Sequence, residues 1–224
     1  MPIEPPPNRW DFPSPNAYGP DDLVAVGADL KPGTLVAAYR QGLFPMPTED
    51  GELGWWSPVE RGTIPIAGLK VSRSLRRSRR RYRVTFDRDL RGVIEACADP
   101  GRPRAWITAD IVEAYLGMSE LGWVHSVETL NANGALVGGL YGVMVGGLFA
   151  GESMFSRERD ASKVALVSLV EVLASQPSAL LDVQWVTDHL ASLGAVAIGR
   201  AEYLRRLAEA IGAPRVPGPW RDNF

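Results

Sequence analysis

The sequence predicts an α+β fold, and three features of its second half lead to that prediction. A β-meander is indicated by three apolar segments, residues 124–130, 135–143 and 148–155, which are separated by turn-forming residues. A helix follows, with Asp160 as its N-cap and apolar residues at helical spacing. Residues 180–186 then have the composition of a fourth strand. With the helices that precede the meander, these elements make a mixed fold.

Glycine distinguishes strands from a membrane helix in this region. Residues 131–151 carry no charge, so a membrane-spanning helix has to be considered. The same residues include seven glycines, and each would cost a helix about 1 kcal/mol relative to alanine. In strands, glycine instead marks a bulge or a place where a ligand approaches the backbone. We therefore expect strands here and no membrane span.

The remaining elements follow in chain order from turn residues and periodicity. Residues 1–33 are rich in proline, and residues 43–47 are extended because proline disfavours helical backbone in the residue before it. Thr108 is expected to cap the helix that follows it. The predicted helices are residues 32–41, 71–81, 90–98, 110–121, a short one within 187–195, and 201–211, with a strand at 82–86. Residues 214–224 contain three prolines and are expected to be peripheral.

Basic residues are concentrated in one segment of an otherwise acidic chain. The 224 residues include 24 basic and 26 acidic side chains. Ten of the basic but only two of the acidic residues lie within 70–91, which leaves 14 basic against 24 acidic residues elsewhere. In the predicted helix 71–81, four arginines share one face: Arg73, Arg76, Arg77 and Arg80. Guanidiniums this close repel unless the face is solvated or binds an anion, and arginine suits phosphate, so we favour a nucleic-acid contact.

Several polar side chains stand in apolar segments and are candidates for a site. Glu152 and Ser153 lie in the third strand of the meander, where an unpaired polar group would be costly. In the strand at 180–186, Asp182 and Gln184 point to the same side because alternate side chains share a face. For this pair, periodicity alone favours a solvent-facing polar edge over a site.

The sequence leaves several classes of protein unsupported. Cys97 is the single cysteine and there are two histidines, so neither an internal disulfide nor a cysteine-based zinc site can form, and we expect no metal. The chain has no Walker motif, no Gly-x-Gly-x-x-Gly motif and no Gly-x-Ser-x-Gly elbow. The first 15 residues lack an apolar signal-peptide core, so we expect a cytoplasmic protein, and we expect no cofactor.

The order of helices, meander, helix and strand is that of acyltransferases which bind acetyl-coenzyme A. Those proteins hold the pyrophosphate with a glycine-rich loop at the start of the central helix. The corresponding residues here, 156–162, include two acidic residues and no glycine. This composition argues against a coenzyme A donor. An acyl donor attached to a polynucleotide would instead bind through the arginine face of the predicted helix 71–81.

Seven motifs between Trp10 and Ile211 are long or rich in uncommon residues. They are Phe12-Pro13-Ser14-Pro15, Leu43-Phe44-Pro45, Trp55-Trp56-Ser57-Pro58, Trp106-Ile107-Thr108, Gly151-Glu152-Ser153-Met154-Phe155-Ser156, Asp182-Val183-Gln184 and His189-Leu190-Ala191-Ser192-Leu193-Gly194-Ala195. In this order they resemble the leucyl/phenylalanyl-tRNA–protein transferase family, and the resemblance covers nearly the whole chain.

The resemblance implies an enzyme that moves Leu or Phe, and also Met, from its tRNA to the α-amine of an N-terminal Arg or Lys of a protein. The new peptide bond marks that protein for the bacterial N-degron pathway. The implied fold is a small N-terminal domain, which we place at residues 1–60, followed by a GNAT-type (acetyltransferase-like) domain at residues 61–224 with a mixed sheet flanked by helices. The implied partners are aminoacyl-tRNA and acceptor proteins. We expect a monomer because few exposed apolar stretches are evident.

The resemblance also implies roles for individual residues. Asp182 and Gln184 match the proposed catalytic pair, in which Asp182 orients Gln184 and the Gln184 side-chain carbonyl accepts a hydrogen bond from the attacking amine. Glu152 matches the group that binds the donor's α-amine, and Trp106 matches an aromatic that stacks on the terminal adenine. The other aminoacyl-adenosine and side-chain pocket positions are Tyr39, Tyr115, Leu140, Phe149, Leu169 and Met46, the last of which replaces a tryptophan found in some members. The tRNA-backbone positions are Arg73, Arg76, Arg77 and Arg80.

Two other functions stay open at this point. A coenzyme A-dependent N-acetyltransferase fits the order of elements but lacks the pyrophosphate loop. A non-catalytic tRNA-binding module would account for the arginine face and Trp106, but it leaves Glu152, Asp182 and Gln184 without a role.

Overall fold

The described part of the protein contains a small and a large β-sheet. The structure is a computed structural model that describes residues 2–102 and 106–220. The small sheet has the antiparallel order β1 (Leu23–Val26), β3 (Leu53–Trp56), β2 (Phe44–Pro47). The large sheet has the order β10 (Val196–Gly199), β4 (Glu60–Ile64), β9 (Leu180–Gln184), β8 (Leu148–Ser156), β7 (Leu136–Val145), β6 (Val124–Leu130), β5 (Arg83–Phe86). Strands β8 and β9 are parallel and the other neighbours are antiparallel, so the large sheet is mixed.

Helices cover both faces of the large sheet. One face carries α5 (Ala161–Leu173), against which α2 (Arg73–Arg79) packs. The other face carries α1 (Pro32–Arg40), α3 (Leu90–Cys97), α4 (Ala109–Glu120) and α7 (Arg200–Gly212), while the short α6 (Asp188–Ser192) follows β9. The predicted α+β fold with a mixed sheet between helices is confirmed. The GNAT-type assignment and the domain boundary at residue 60 stay predictions.

The uncharged, glycine-rich segment 131–151 forms β7 and its flanking turns and strands. Across residues 2–102 and 106–220, no helix is both long and apolar enough to cross a membrane.

Strand β9 lies inside the large sheet, between β4 and β8. The predicted solvent-facing edge at residues 180–186 is therefore wrong: Asp182 is fully buried and Gln184 is 9% exposed. The error arises because the sequence predicts neither β4 nor β10. Strand β4 reads Glu60-Arg61-Gly62-Thr63-Ile64, which lacks the alternation of a half-buried strand although four of its five residues are buried.

The two parallel strands of the large sheet stop pairing before they end. Residues 148–150 of β8 pair with residues 180–182 of β9, and β8 then continues to Ser156 beside β7 alone. The β7–β8 pairing contains a bulge: Tyr141 faces Ser153 and Gly142 faces Gly151, so Glu152 is the extra residue. Bulges re-aim the side chain of the extra residue. The sheet thus opens beyond residue 150, and Glu152 lies at the opening.

The C-terminal segment belongs to the core as far as the structure describes it. Of the predicted peripheral segment 214–224, residues 221–224 lie outside the described residues, whereas Val216 and Trp220 are buried. The Trp220 ring stacks on Phe149, with 6.2 Å between the ring centroids, and lies 4.9 Å from the His125 ring. The prediction is wrong for these residues because proline interrupts regular structure without excluding a segment from an apolar core.

The glycines of β7 make room for other parts of the protein. A Cβ on Gly138 would lie 2.5 Å from the Cβ of Ala161 at the start of α5, and one on Gly142 would lie 2.3 Å from the Ala150 carbonyl oxygen. The close approach expected at these glycines is therefore that of a helix and a neighbouring strand. Gly151, beside the bulge, is the glycine of this run that lines a cavity.

We expect Gly138→Ala to lower the free energy of unfolding by about 1–3 kcal/mol, because the added methyl group overpacks the contact between β7 and α5. The matched control is Gly117→Ala in α4, where a Cβ meets no atom within 4 Å. Alanine is the better helix former, so this control is expected to be neutral or to stabilise by up to about 1 kcal/mol. Urea denaturation followed by circular dichroism measures both. Equal effects would contradict direct packing of α5 on Gly138.

Candidate active site

A cavity of about 1060 Å³ lies where β8 and β9 separate. Its walls come from β2 and the turn after it, from the residues before α4, and from β7, β8, β9 and α5. Most of the lining is apolar, and the ionisable or amide side chains on it include Glu49, Arg102, Glu152 and Gln184. An apolar cavity with a few convergent polar groups is typical of sites that bind small molecules or cofactors.

Leucines form a large part of the apolar lining of the cavity, and four of them come from β7, α5 and β9. They are Leu140 of β7, Leu166 and Leu169 of α5, and Leu181 of β9. The sequence points to Leu140 and Leu169 but not to the other two. Phe149, the third pocket position of the prediction, is fully buried in the same core and is not among the lining residues.

Glu152 is held by two buried tyrosines. The Tyr39 hydroxyl donates to Oε1 at 2.7 Å, the Tyr115 hydroxyl donates to Oε2 at 3.0 Å, and the two hydroxyl oxygens are 2.5 Å apart. Three such contacts need three protons, and the tyrosines supply two. When Glu152 carries the third proton, it donates to one tyrosine, and that tyrosine donates to the other. Burial accordingly raises the pKa of Glu152 to about 7, although the hydrogen bonds from the tyrosines oppose the rise.

Asp182 is buried next to Arg61 and is not among the residues that line the cavity. Arg61 Nε donates to Oδ1 at 2.8 Å and Arg61 Nη2 donates to Oδ2 at 2.6 Å, a bidentate pair. The Tyr203 hydroxyl donates to Oδ2 at 2.8 Å. The Gln184 backbone N–H donates to Oδ1 at 2.9 Å. Asp182 therefore contacts Gln184 through the backbone.

Gln184 lines the cavity at the end of β9, where the strand geometry is interrupted. Its φ is 57°, in the left-handed region that non-glycine residues rarely adopt. The pairing of β9 with β4 shifts at the same place, because Gly62 faces Gln184 while Thr63 faces Asp182. Within the described residues, Gln184 Nε2 is buried without a hydrogen-bond partner. A strained residue with an unused amide next to a cavity is a candidate functional group.

Two further predicted positions, Trp106 and Met46, lie on the walls of the cavity. Trp106 precedes Thr108, whose side chain accepts a hydrogen bond from the Ile111 backbone N–H and so caps α4 as predicted. Tyr39 and Tyr115 lie behind Glu152, buried and hydrogen-bonded to it. The structure therefore brings the predicted aminoacyl-adenosine positions to the cavity or to the layer directly behind it.

The arginine face of α2 is exposed. All four predicted arginines are exposed, with Arg80 following the last residue of the helix. Arg79, between them, is partly buried and forms a bidentate pair with Glu171 of α5 at 2.6 Å. The helix is thus anchored to α5 by one arginine and presents the others to solvent: Arg73, Arg76, Arg77 and Arg80.

The N-terminus of α5 has little free capacity for an anion. The Ala161 N–H donates to the Glu158 carbonyl at 3.1 Å, and the Ser162 N–H donates to Ser156 Oγ at 3.2 Å. Asp160 occupies the predicted N-cap position, but its side chain makes no capping bond and instead accepts from Ser78 Oγ at 2.8 Å. Pyrophosphate binding at a helix N-terminus uses free backbone N–H groups. This arrangement does not favour a coenzyme A donor.

Sequence reasoning misses Arg61 and Tyr203. Arg61 reads as one charge in a polar segment, and Tyr203 reads as one apolar position of an amphipathic helix. Their contact with Asp182 depends on the order of strands in the sheet, which periodicity does not reveal. Within one sequence, no local signal would have identified them.

Comparisons with known proteins agree over nearly the full chain. A model of the family described as leucyl/phenylalanyl-tRNA protein transferase matches residues 63–208, and a model of that family's N-terminal domain matches residues 28–59. A leucyl/phenylalanyl-tRNA–protein transferase of Anaeromyxobacter dehalogenans is 46% identical across 99% of this chain and 97% of its own length. One of Aromatoleum aromaticum is 49% identical across 90% of this chain and 86% of its own.

Among solved structures, L-PGS from Bacillus licheniformis is matched with a TM-score of 0.37 and 12% identity, covering 67% of this chain and 51% of that one. A likeness this low carries no argument about the fold. The family models and the full-length identities do decide the relationship. The chain belongs to the leucyl/phenylalanyl-tRNA–protein transferase family and is an aminoacyltransferase.

Proposed function

We propose that this aminoacyltransferase moves Leu or Phe, and also Met, from tRNA to the α-amine of proteins that begin with Arg or Lys. The reaction takes place in the cytoplasm and creates an N-degron. The observation that carries the proposal is one cavity that combines a leucine-lined wall, the Glu152 carboxylate and the Trp106 ring. An apolar side chain, an α-amine and an adenine are the three parts of an aminoacyl-adenosine, and each has a matching group here.

The leucine-lined wall supports an apolar donor. Each buried methylene contributes about 0.8 kcal/mol, so Leu, Phe and Met all gain from this surface whereas polar side chains do not. Glu152, in its carboxylate form, pairs with the donor's α-ammonium group. Trp106 stacks on the terminal adenine, a contact worth about 1–3 kcal/mol. The thioether of Met46, which lines the same cavity, packs against the adenine as well.

The exposed arginines of α2 bind the phosphate backbone of the tRNA. Four guanidiniums on one face suit a polyanion, since each can pair with phosphate oxygens through two N–H groups. Binding of this kind releases counterions and therefore weakens steeply with salt.

The turn after β2 supports a positively charged acceptor. Glu49 lines the cavity and is exposed, and Asp50 and Glu52 follow in the same turn. These carboxylates attract an N-terminal Arg or Lys side chain towards the cavity. They also repel phosphate, which keeps the body of the tRNA on the side of α2.

The chemistry is aminolysis of an ester. The acceptor amine must approach the ester carbonyl to about 3–3.5 Å in the correct orientation. The Gln184 side-chain carbonyl accepts a hydrogen bond from that amine, and Asp182 holds Gln184 through its backbone N–H. An amide is not a base, so the pair contributes by positioning the amine.

We expect Gln184→Ala to lower the rate of transfer at saturating substrates by about 10–100-fold, because the amine loses its orienting contact. Transfer of labelled Phe from Phe-tRNA to a peptide beginning with Arg measures this rate, and a filter-binding assay checks that tRNA affinity is unchanged. Peptides beginning with Ala and a parallel reaction with acetyl-coenzyme A serve as controls. Equal labelling of the Arg and Ala peptides would refute the acceptor assignment, and acetylation would refute the donor assignment.

Arg77→Ala should weaken tRNA binding and reduce the slope of log affinity against log salt by about 0.7–0.9, the share of one phosphate contact. Arg79→Ala is the matched control, because it removes the same charge from the same helix but from a side chain already paired with Glu171. We expect the control to change the slope less. Identical slopes for the two variants would contradict an RNA contact by the exposed face.

The apparent KM for Phe-tRNA should rise about tenfold as the pH falls from 8 to 6. The pKa of Glu152 is raised by burial to about 7, so the carboxylate that pairs with the donor's α-ammonium is largely present at pH 8 and largely protonated at pH 6. Glu152→Gln should have a high KM at both values, and its own pH dependence corrects for titration of the substrate. A wild-type KM that tracks that of Glu152→Gln would exclude this role.

A further inference from the structure

We propose that Arg61 and Tyr203 are positioning residues of the transfer reaction. They saturate Asp182 with hydrogen bonds, so that Asp182 holds Gln184 in place and takes no proton from the acceptor amine. This inference rests on the proposed function, because it concerns how the acceptor is oriented in that reaction.

The acceptor sites of the Asp182 carboxylate are filled by the protein itself. Oδ1 accepts from Arg61 Nε and from the Gln184 backbone N–H, and Oδ2 accepts from Arg61 Nη2 and from the Tyr203 hydroxyl. An ionised carboxylate offers about four lone-pair sites. With four donors in place and no exposed surface, Asp182 has no site left for a substrate amine.

Arg61 is held so that it cannot turn away from Asp182. Its guanidinium lies between the rings of Phe44 and Tyr203, at 4.7 Å and 4.4 Å from their centroids. Its remaining terminal nitrogen, Nη1, donates to the Gly42 carbonyl at 2.9 Å. A desolvated cation between two aromatic faces is strongly attracted to both. Tyr203 therefore acts twice, as a ring against Arg61 and as a donor to Asp182.

Asp182 transmits this constraint to Gln184. The bond from the Gln184 N–H to Oδ1 stabilises a backbone with φ 57°, which is unfavourable for glutamine without such support. That backbone turn decides where the Gln184 amide stands on the cavity wall. Arg61 and Tyr203 thus act on the reacting amine through Asp182 and then Gln184, without touching it.

The proton balance of the reaction is satisfied without Asp182. Transfer forms a bond between the acceptor nitrogen and the donor carbonyl carbon and breaks the bond from that carbon to the ribose oxygen. The amine must lose one proton and the ribose oxygen must gain one. With Asp182 saturated, this proton passes from the amine to the ribose oxygen, directly or through water, while Gln184 orients the amine.

The test is a double-mutant cycle between Tyr203→Phe and Gln184→Ala. Phenylalanine keeps the ring against Arg61 and removes only the hydroxyl donor to Asp182. We expect Tyr203→Phe to lower kcat about tenfold in the wild-type background, with the KM for Phe-tRNA within twofold, and to have no further effect in the Gln184→Ala background. Tyr82→Phe is the control, since Tyr82 also loses a hydroxyl hydrogen bond, to the Arg159 carbonyl, away from the cavity.

The cycle separates positioning from general damage to the fold. A merely structural loss would lower kcat by the same factor in both backgrounds, and that result would overturn the proposal. So would an unchanged kcat for Tyr203→Phe. If the wild-type protein transferred nothing to the Arg peptide, the proposed function would fail; normal wild-type transfer with an additive cycle refutes this inference alone.

The pH dependence of kcat tests the proton assignment. If Asp182 accepted the proton, removing a hydrogen-bond donor from it would alter the acidic limb of the profile. We expect the acidic limbs of wild type and Tyr203→Phe to coincide, with only the plateau lowered. A shifted limb would show that Asp182 takes the proton.

Discussion

The buried ion pair between Arg61 and Asp182 is the interaction on which the rest of the site depends. Its guanidinium comes from β4 and its carboxylate from β9, while its other partners lie after α1 and on α7. Neither side chain reaches water. Loss of one partner would leave a buried charge unpaired, at about 3–5 kcal/mol. The pairing of β4 with β9 is therefore stabilised by this ion pair as well as by apolar packing.

The two carboxylates near the cavity have opposite surroundings. Asp182 is paired with the Arg61 guanidinium and accepts hydrogen bonds at all of its acceptor sites. Glu152 is the extra residue of a β-bulge and is hydrogen-bonded to the hydroxyl groups of two tyrosines. Burial raises the pKa of Glu152 to about 7, so its charge changes near neutral pH. Two carboxyl groups with such different surroundings are suited to different roles. Asp182 organises the backbone of Gln184, and Glu152 lines the cavity.

Local sequence patterns predict the elements that depend on local interactions, such as the ends of helices and the turns of the meander. The ends of α1, α3, α4 and α7 differ from the predicted bounds by at most one residue, and the meander lies where its turns indicate. Strand β4 is not predictable in this way because it combines polar and small residues, and without it Asp182 is assigned to an edge. Family motifs point to Glu152, Gln184 and Trp106, which the fold brings to one cavity. Arg61 and Tyr203 are found only once the strand order is known.

The packing of Trp220 has a consequence for biosynthesis. Its ring closes the core behind Phe149 and the leucine-lined wall, and it also contacts Phe86 of β5. Ribosomes make the chain from the N-terminus, so every strand of the large sheet is translated before residue 220 emerges. Until then the sheet has an uncovered apolar surface where this indole will sit. The leucine-lined wall of the cavity therefore gains this cover only after every strand of the large sheet has been translated.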